Sequence, residues 1–188
     1  ANFATGDITD TGCTDDSFTT TSTTVYGSTC TVASDGAASI VVAADAFTDT
    51  AGNGNTVSNT YSWTQDDTGP TMTITSNTVD SGSSTNTGAV VLIYTSNEVT
   101  NNFATGDITV TECVHSDFTT ASTTVYGSTC TEATNAVTPT VKVNADTFTD
   151  ALDNDNSVSN TYTWTYDTAD PTMTITSTAG TASGGSSN

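Results

Sequence analysis

The chain repeats itself, and the period limits what it can fold into. Residues 2–9 (NFATGDIT) recur letter for letter at 102–109, and residues 22–30 (STTVYGSTC) recur at 122–130. After a one-residue insertion the match continues. Phe47-Thr48-Asp49 returns as Phe148-Thr149-Asp150, residues 57–61 (VSNTY) return at 158–162, and residues 70–76 (PTMTITS) return at 171–177. The period is therefore about 100 residues, the size of one β-sandwich domain. It is too long for a solenoid turn or a propeller blade.

Within one period the pattern is that of short strands. Thr71-Met72-Thr73-Ile74-Thr75 alternates strictly, with Met72 and Ile74 on one face. Residues 107–111 alternate through Ile108 and Val110, and Tyr162, Trp164 and Tyr166 point one way with threonines between them. Residues 89–94 are an unbroken apolar run, which predicts a central strand covered on both faces. Residues 123–131 and 138–143 complete the set. Gly, Asn, Asp and Ser fill the intervals, and no window holds a helical period. Ser and Thr make up more than a third of the chain, and threonine can line the wet face of a strand without adding charge. About seven strands with one central Trp per period fit an all-β chain of β-sandwich repeats.

Two prolines mark the joints. Asp67-Thr68-Gly69-Pro70 and Asp167-Thr168-Ala169-Asp170-Pro171 each sit between a Trp strand and a Met-Thr-Ile-Thr strand. Proline removes a ladder donor and stiffens a junction. Three segments follow: residues 1–68 as the back part of one repeat, 69–168 as a complete repeat, and 169–188 as the start of another, ending in Gly/Ser-rich sequence. With no initiating Met and a start inside a repeat, the chain reads as a piece of something longer. The half-repeat at 1–68 lacks its first two strands, so other copies of the same protein are expected partners, end to end or by strand exchange.

The charge balance excludes whole classes of partner. There are 21 Asp+Glu against a single Lys+Arg, for a net charge of −20. Such a surface repels phosphate backbones and anionic lipid, so neither nucleic acid nor membrane insertion is expected. It attracts cations.

The four cysteines, Cys13, Cys30, Cys113 and Cys130, fall as one pair per repeat at the same spacing. Two disulfides, Cys13–Cys30 and Cys113–Cys130, are the simple reading, and they imply an oxidising compartment. Each would stabilise by roughly 3 kcal/mol in the chain-entropy model. The rival is zinc, which needs three or four Cys/His ligands at a site. Each repeat has two cysteines, and His115 is replaced by Asp15 in the other copy.

Several pieces together resemble the bacterial immunoglobulin-like repeats of large surface proteins and adhesins. They are residues 167–172 (DTADPT), 96–100 (SNEVT), 103–110 (FATGDITV) and 47–55 (FTDTAGNGN). The resemblance implies tandem immunoglobulin-like β-sandwiches, long arrays at a cell surface, and adhesion or scaffolding. The cysteine pair departs from that pattern. The resemblance carries no catalytic residues with it.

Calcium is the sharpest chemical expectation. Asp150, Asp153, Asn154 and Asp155 crowd one loop, and Asp49, Asn53 and Asn55 occupy the same loop in the other copy. Calcium takes six to eight oxygens from carboxylates, amides and carbonyls, although this is not EF-hand spacing. An ordinary Asn/Gly/Asp turn is the plain alternative. The joint acids Asp66, Asp67, Asp167 and Asp170 are a second cation candidate. Lys142 does not recur as an isopeptide lysine should, since Val41 stands in its place. No phosphate loop and no nucleophile elbow is present, and the paired carboxylates fall in turns, so no enzyme is expected. No Asn-x-Ser/Thr acceptor occurs either. The function expected is a structural repeat of an extracellular or cell-surface filament, stalk or giant adhesin. The alternative is an adhesive module that recognises glycans or another cell.

Overall fold

The structure is a computed structural model that describes residues 2–176. In chain order the strands are β1 (Ile8–Thr11), β2 (Thr14–Thr20), β3 (Tyr26–Thr31), β4 (Gly36–Val42), β5 (Tyr61–Gln65), β6 (Met72–Ser76) and β7 (Ser84–Thr85). They continue as β8 (Ala89–Ser96), β9 (Ile108–Thr111), β10 (Val114–Thr120), β11 (Val125–Thr131), β12 (Thr140–Val143), β13 (Tyr162–Thr163) and β14 (Thr165–Tyr166). The described residues are all-β apart from two short 3₁₀ turns, Thr5–Asp7 and Thr105–Asp107. No helix among them is long and apolar enough to cross a membrane.

Residues 70–166 form two sheets around one core. The larger has the order β10-β11-β8-β6, and the smaller has the order β13-β12-β9. All pairings within both sheets are antiparallel; the two-residue β14 instead pairs parallel with β7. Met72 and Ile74 of β6, Val90, Leu92 and Tyr94 of β8, and Val141 and Val143 of β12 meet Trp164 and Phe148 in one buried cluster. The alternation of β6 is as its sequence predicts: Met72 and Ile74 are buried and the threonines between them exposed.

β8 differs from its sequence expectation. It is a central strand of its sheet, but Val91 on its outer face is 46% exposed while Val90, Leu92 and Tyr94 are fully buried. An antiparallel sheet that packs on one side only leaves the other wet, however apolar the strand.

Residues 2–65 reproduce the second half of this arrangement. β4 pairs with β1 and β5, and β3 pairs with β2, in the registers of β12 with β9 and β11 with β10. The local details recur as well. Asp7 Oδ2 accepts the Ala4 N–H at 2.8 Å, as Asp107 Oδ2 accepts that of Ala104. Phe3 meets Phe47 edge-on at 5.0 Å, and Phe103 meets Phe148 at 4.9 Å. The first copy has no counterpart of β6 and β8 among the described residues, and its core is open. Tyr61 is 63% exposed where its equivalent Tyr162 is 3%. Of the segment 169–188, only residues up to 176 are described, and the Gly/Ser-rich end lies outside them.

Candidate functional site: the acidic joint between the repeats

The Asp150 loop is built by side-chain hydrogen bonds to its own backbone. Asp150 Oδ1 accepts the N–H groups of Leu152 (2.8 Å) and Asn154 (2.9 Å), and Oδ2 accepts the Asn154 amide at 2.9 Å. Asp49 does the same with Ala51, Asn53 and the Asn53 amide at 2.9, 2.8 and 2.9 Å. This is the turn chemistry that aspartate favours. Bonds from the Asn53 amide and backbone hold the Asp49 carboxyl below its ordinary range. Desolvation pushes the Asp150 carboxyl up, but the bonds from Asn154 and Leu152 outweigh it and hold that carboxyl low.

The other loop residues expected to bind calcium have different roles. Asp153 sits at φ 65°, the left-handed position that Gly52 fills at φ 87° in the first copy. Asp155 takes the place of Gly54, each backbone bridging to a threonine. Asn55 Oδ1 accepts the Phe47 N–H and its amide donates to Ala43 and Thr56 carbonyls, so its oxygen is already engaged. Its counterpart is Asn156, which the sequence reading passed over. Asn156 is 1% exposed. Its Oδ1 accepts from Thr147 and Phe148, and its amide donates to the carbonyls of Asn144 and Ser157. The signal was its recurrence at an identical place in both copies.

The joint brings one loop residue to two others. Gly69 lies so close to the loop that a Cβ there would stand 1.8 Å from the Asp155 carbonyl oxygen. Only glycine permits that approach. The Asn154 amide donates to the Asp66 carbonyl at 3.1 Å, tying the loop of one repeat to the end of the other. Carboxylate oxygens of Asp66, Glu98 and Asp150 then lie within 4.8 Å of one another. Val99, Ala151 and Leu152 line the same open cleft. Desolvation, with the charges of Asp66 and Asp150, pushes the Glu98 carboxyl up. The chain's single basic residue, Lys142, stands on β12 opposite Thr109 and does not relieve this charge. These three carboxylates could hold a divalent cation, with oxygen chemistry suited to calcium. Glu98 was legible only as one letter of the Ser96–Thr100 segment, since what joins it to Asp66 and Asp150 is tertiary.

The remaining joint acids separate from this group. The Asp67 N–H donates to Asp35 Oδ1 at 2.8 Å, and Asp35 also accepts the Thr68 hydroxyl. Bonds from Thr68 and Asp67 lower the Asp35 carboxyl, while the hydrogen bond and charge of Asp35 raise that of Asp67. In the second copy Asn135 takes the place of Asp35 and accepts the Thr168 N–H at 2.6 Å. Asp167 Oδ1 caps Ala169, and Asp170 is exposed.

Cys13 bonds Cys30 and Cys113 bonds Cys130, with Cα atoms 5.6 Å apart in both. No cysteine is free, and the bonds indicate an oxidising compartment. His115 Nε2 lies 3.4 Å from the Tyr94 hydroxyl, which also meets Ser128 Oγ at 2.9 Å. Desolvation lowers the His115 pKa. Burial pushes the Tyr94 hydroxyl up to about 12. One carboxylate is buried against the expectation that acids stay in turns: Glu132, 7% exposed, accepts the Trp164 indole N–H. Its counterpart is Val32, so only the second repeat has this bond. Compared with family models, curated proteins and solved structures, the chain matches none of them.

Proposed function

We propose that this chain is a stretch of structural repeats from an extracellular or cell-surface filament, stalk or giant adhesin, with a mechanical role. The repeats are read as tandem immunoglobulin-like β-sandwiches of the kind found in bacterial surface proteins. The observation that carries this reading is redundancy. The two copies share strands, registers, disulfide, aromatic cluster and Asp-Asn loop, in nearly the same geometry. Two of the residues that differ between them, His115 for Asp15 and Glu132 for Val32, make side-chain hydrogen bonds to Tyr94 and Trp164 within the second copy. An enzyme or a specific binding module needs a constellation peculiar to one unit. Here nearly everything is duplicated.

The disulfide suits such a role. It shortens what a pulled repeat can release, since its two cysteines are 17 positions apart in sequence. Stretching the chain with an optical trap, with and without reductant, tests this. Each oxidised repeat should release roughly 55 Å less contour than the same repeat reduced. Electron micrographs of the full-length native protein test the wider reading: regular rods or fibres are expected, and dispersed compact particles overturn it.

A further inference from the structure

The two copies of the Asp-Asn turn differ at the residue that follows the asparagine. In the first copy it is glycine, Asn53-Gly54, and in the second it is aspartate, Asn154-Asp155. Asn53-Gly54 is the one Asn-Gly pair in the chain. Asparagine is a thermolabile residue, because its side-chain amide carbon lies within reach of the next backbone nitrogen. A Cβ on that next residue hinders the approach, and glycine has none.

We propose that Asn53 is a site of spontaneous covalent modification, converted to aspartate and isoaspartate through a ring closed by Gly54, and that the conversion unlocks the turn held by Asp49.

The chemistry needs nothing beyond this turn and water. The Gly54 nitrogen gives its proton to solvent base and attacks Asn53 Cγ. The Cγ–Nδ2 bond breaks, Nδ2 leaves as ammonia with a proton from water, and a succinimide ring remains. Water then opens the ring at Cγ, which gives aspartate, or at the main-chain carbonyl, which gives isoaspartate. One water is consumed and one ammonia released.

The backbone leaves the attacking group unspent. Thr48 pairs with Gly54 through the Asn55 N–H on the Phe47 carbonyl and the Asp49 N–H on the Asn53 carbonyl, each at 3.0 Å. These bonds flank Gly54 without using its N–H. Asp49 holds the reaction back: the Asn53 amide donates to Asp49 Oδ2 at 2.9 Å and must release that bond to turn toward Gly54. The product loses the same bond for good. Aspartate at position 53 sets a carboxylate where the amide stood, against Asp49 Oδ2, and the like charges repel. Isoaspartate lengthens the main chain by one carbon, so the two bonds flanking Gly54 lose their register.

Asp35-Gly36, the one Asp-Gly pair in the chain, marks the contrast. Its carboxyl accepts the Asp67 N–H and the Thr68 hydroxyl, and these bonds hold it below its ordinary range. A carboxylate anion is a poor electrophile, so the same neighbour does not close a ring there.

Peptide mapping by mass spectrometry tests this on the full chain, held folded at neutral to mildly alkaline pH. Electron-based fragmentation tells aspartate from isoaspartate. Asn53 should convert several-fold faster than Asn154 in the same molecules, faster still as pH rises, and with both products present. Gly54→Asp writes the second copy's dipeptide into the first and should slow Asn53 to the rate of Asn154. The turn accommodates that side chain, since Asp146 and Asp155 stand in the places of Asp45 and Gly54 in the second copy. Gly54→Ala should slow conversion too, without adding charge. Equal rates at Asn53 and Asn154 overturn the proposal, as does a rate that neither variant lowers. Aspartate without isoaspartate means that water attacked Asn53 directly, and removes the ring. Asn53→Asp should speed amide exchange across residues 47–55; exchange as slow as in wild type overturns the unlocking.

Discussion

At the residue scale, polar side chains hold this fold together from inside its turns. Asn156 is the clearest case, because four backbone groups depend on one buried amide. Asn156→Ala strands those groups, and chemical denaturation should show a loss of about 1–3 kcal/mol or more. Asn55→Ala, in the exposed copy of the same turn, should cost less. The joint acids oppose each other instead. Because the Glu98 carboxyl is raised in the folded chain, its charge destabilises the fold above that pKa. Glu98→Gln should therefore raise the melting temperature at neutral pH. The gain should shrink as pH falls through the raised pKa toward the ordinary 4.5, where wild type takes up the proton and relieves itself. The Asp150 carboxyl has the opposite sign. Its lowered pKa contributes stability above the ordinary 3.8, lost as pH falls through the folded value. Calcium should raise the wild-type melting temperature at neutral pH, and Glu98→Gln should remove most of that rise. No rise at all would leave the loop as a hydrogen-bonded turn and nothing more.

Among the elements, the two repeats offer a matched comparison. Trp164 is fully buried, with its indole N–H on Glu132, whereas Trp63 is half-buried and its copy has Val32 where Glu132 stands. Trp164→Ala should cost about 3–5 kcal/mol, and Trp63→Ala clearly less, when unfolding of each repeat is followed separately by residue-resolved hydrogen exchange. The disulfides sort the same way. Replacing Cys113 and Cys130 together by Ser should cost about 3 kcal/mol of loop-closure stabilisation. It should also cost packing, since Cys130 is fully buried. The Cys13–Cys30 pair lies in a more open setting and should show the entropic part alone. Both outcomes are readable from denaturant midpoints under non-reducing conditions.

For the whole molecule, stability is unevenly spread. Nearly all the buried apolar side chains belong to residues 72–164, and of the first copy only Ala38 is counted among them. Amide exchange should therefore be slowest in β8, β11 and β12 and fast in β3 and β5, whose sequences are nearly the same as their protected counterparts. Placing a copy of residues 70–100 ahead of Asn2 should slow exchange in β3 and β5 to the level of the second repeat. Unchanged exchange would mean that the first copy is open for some other reason.

By itself the sequence determined the period, the strand character and the cysteine pairs. These are local: alternation, turn residues and recurrence are written along the chain and need no partner to be read. The Asp150 loop was legible as a cluster, but its chemistry was not, because an Asp-Asn turn and a cation loop use the same letters. Tertiary structure alone decided three things. It showed that β8, apolar throughout, has one wet face, since sheet order and not composition sets which side is covered. It brought Glu98 to Asp66 and Asp150 from across the joint. It also separated two nearly identical sequences into a packed copy and an open one, because burial depends on which strands are present to cover a face, and a strand's own letters do not record its neighbours.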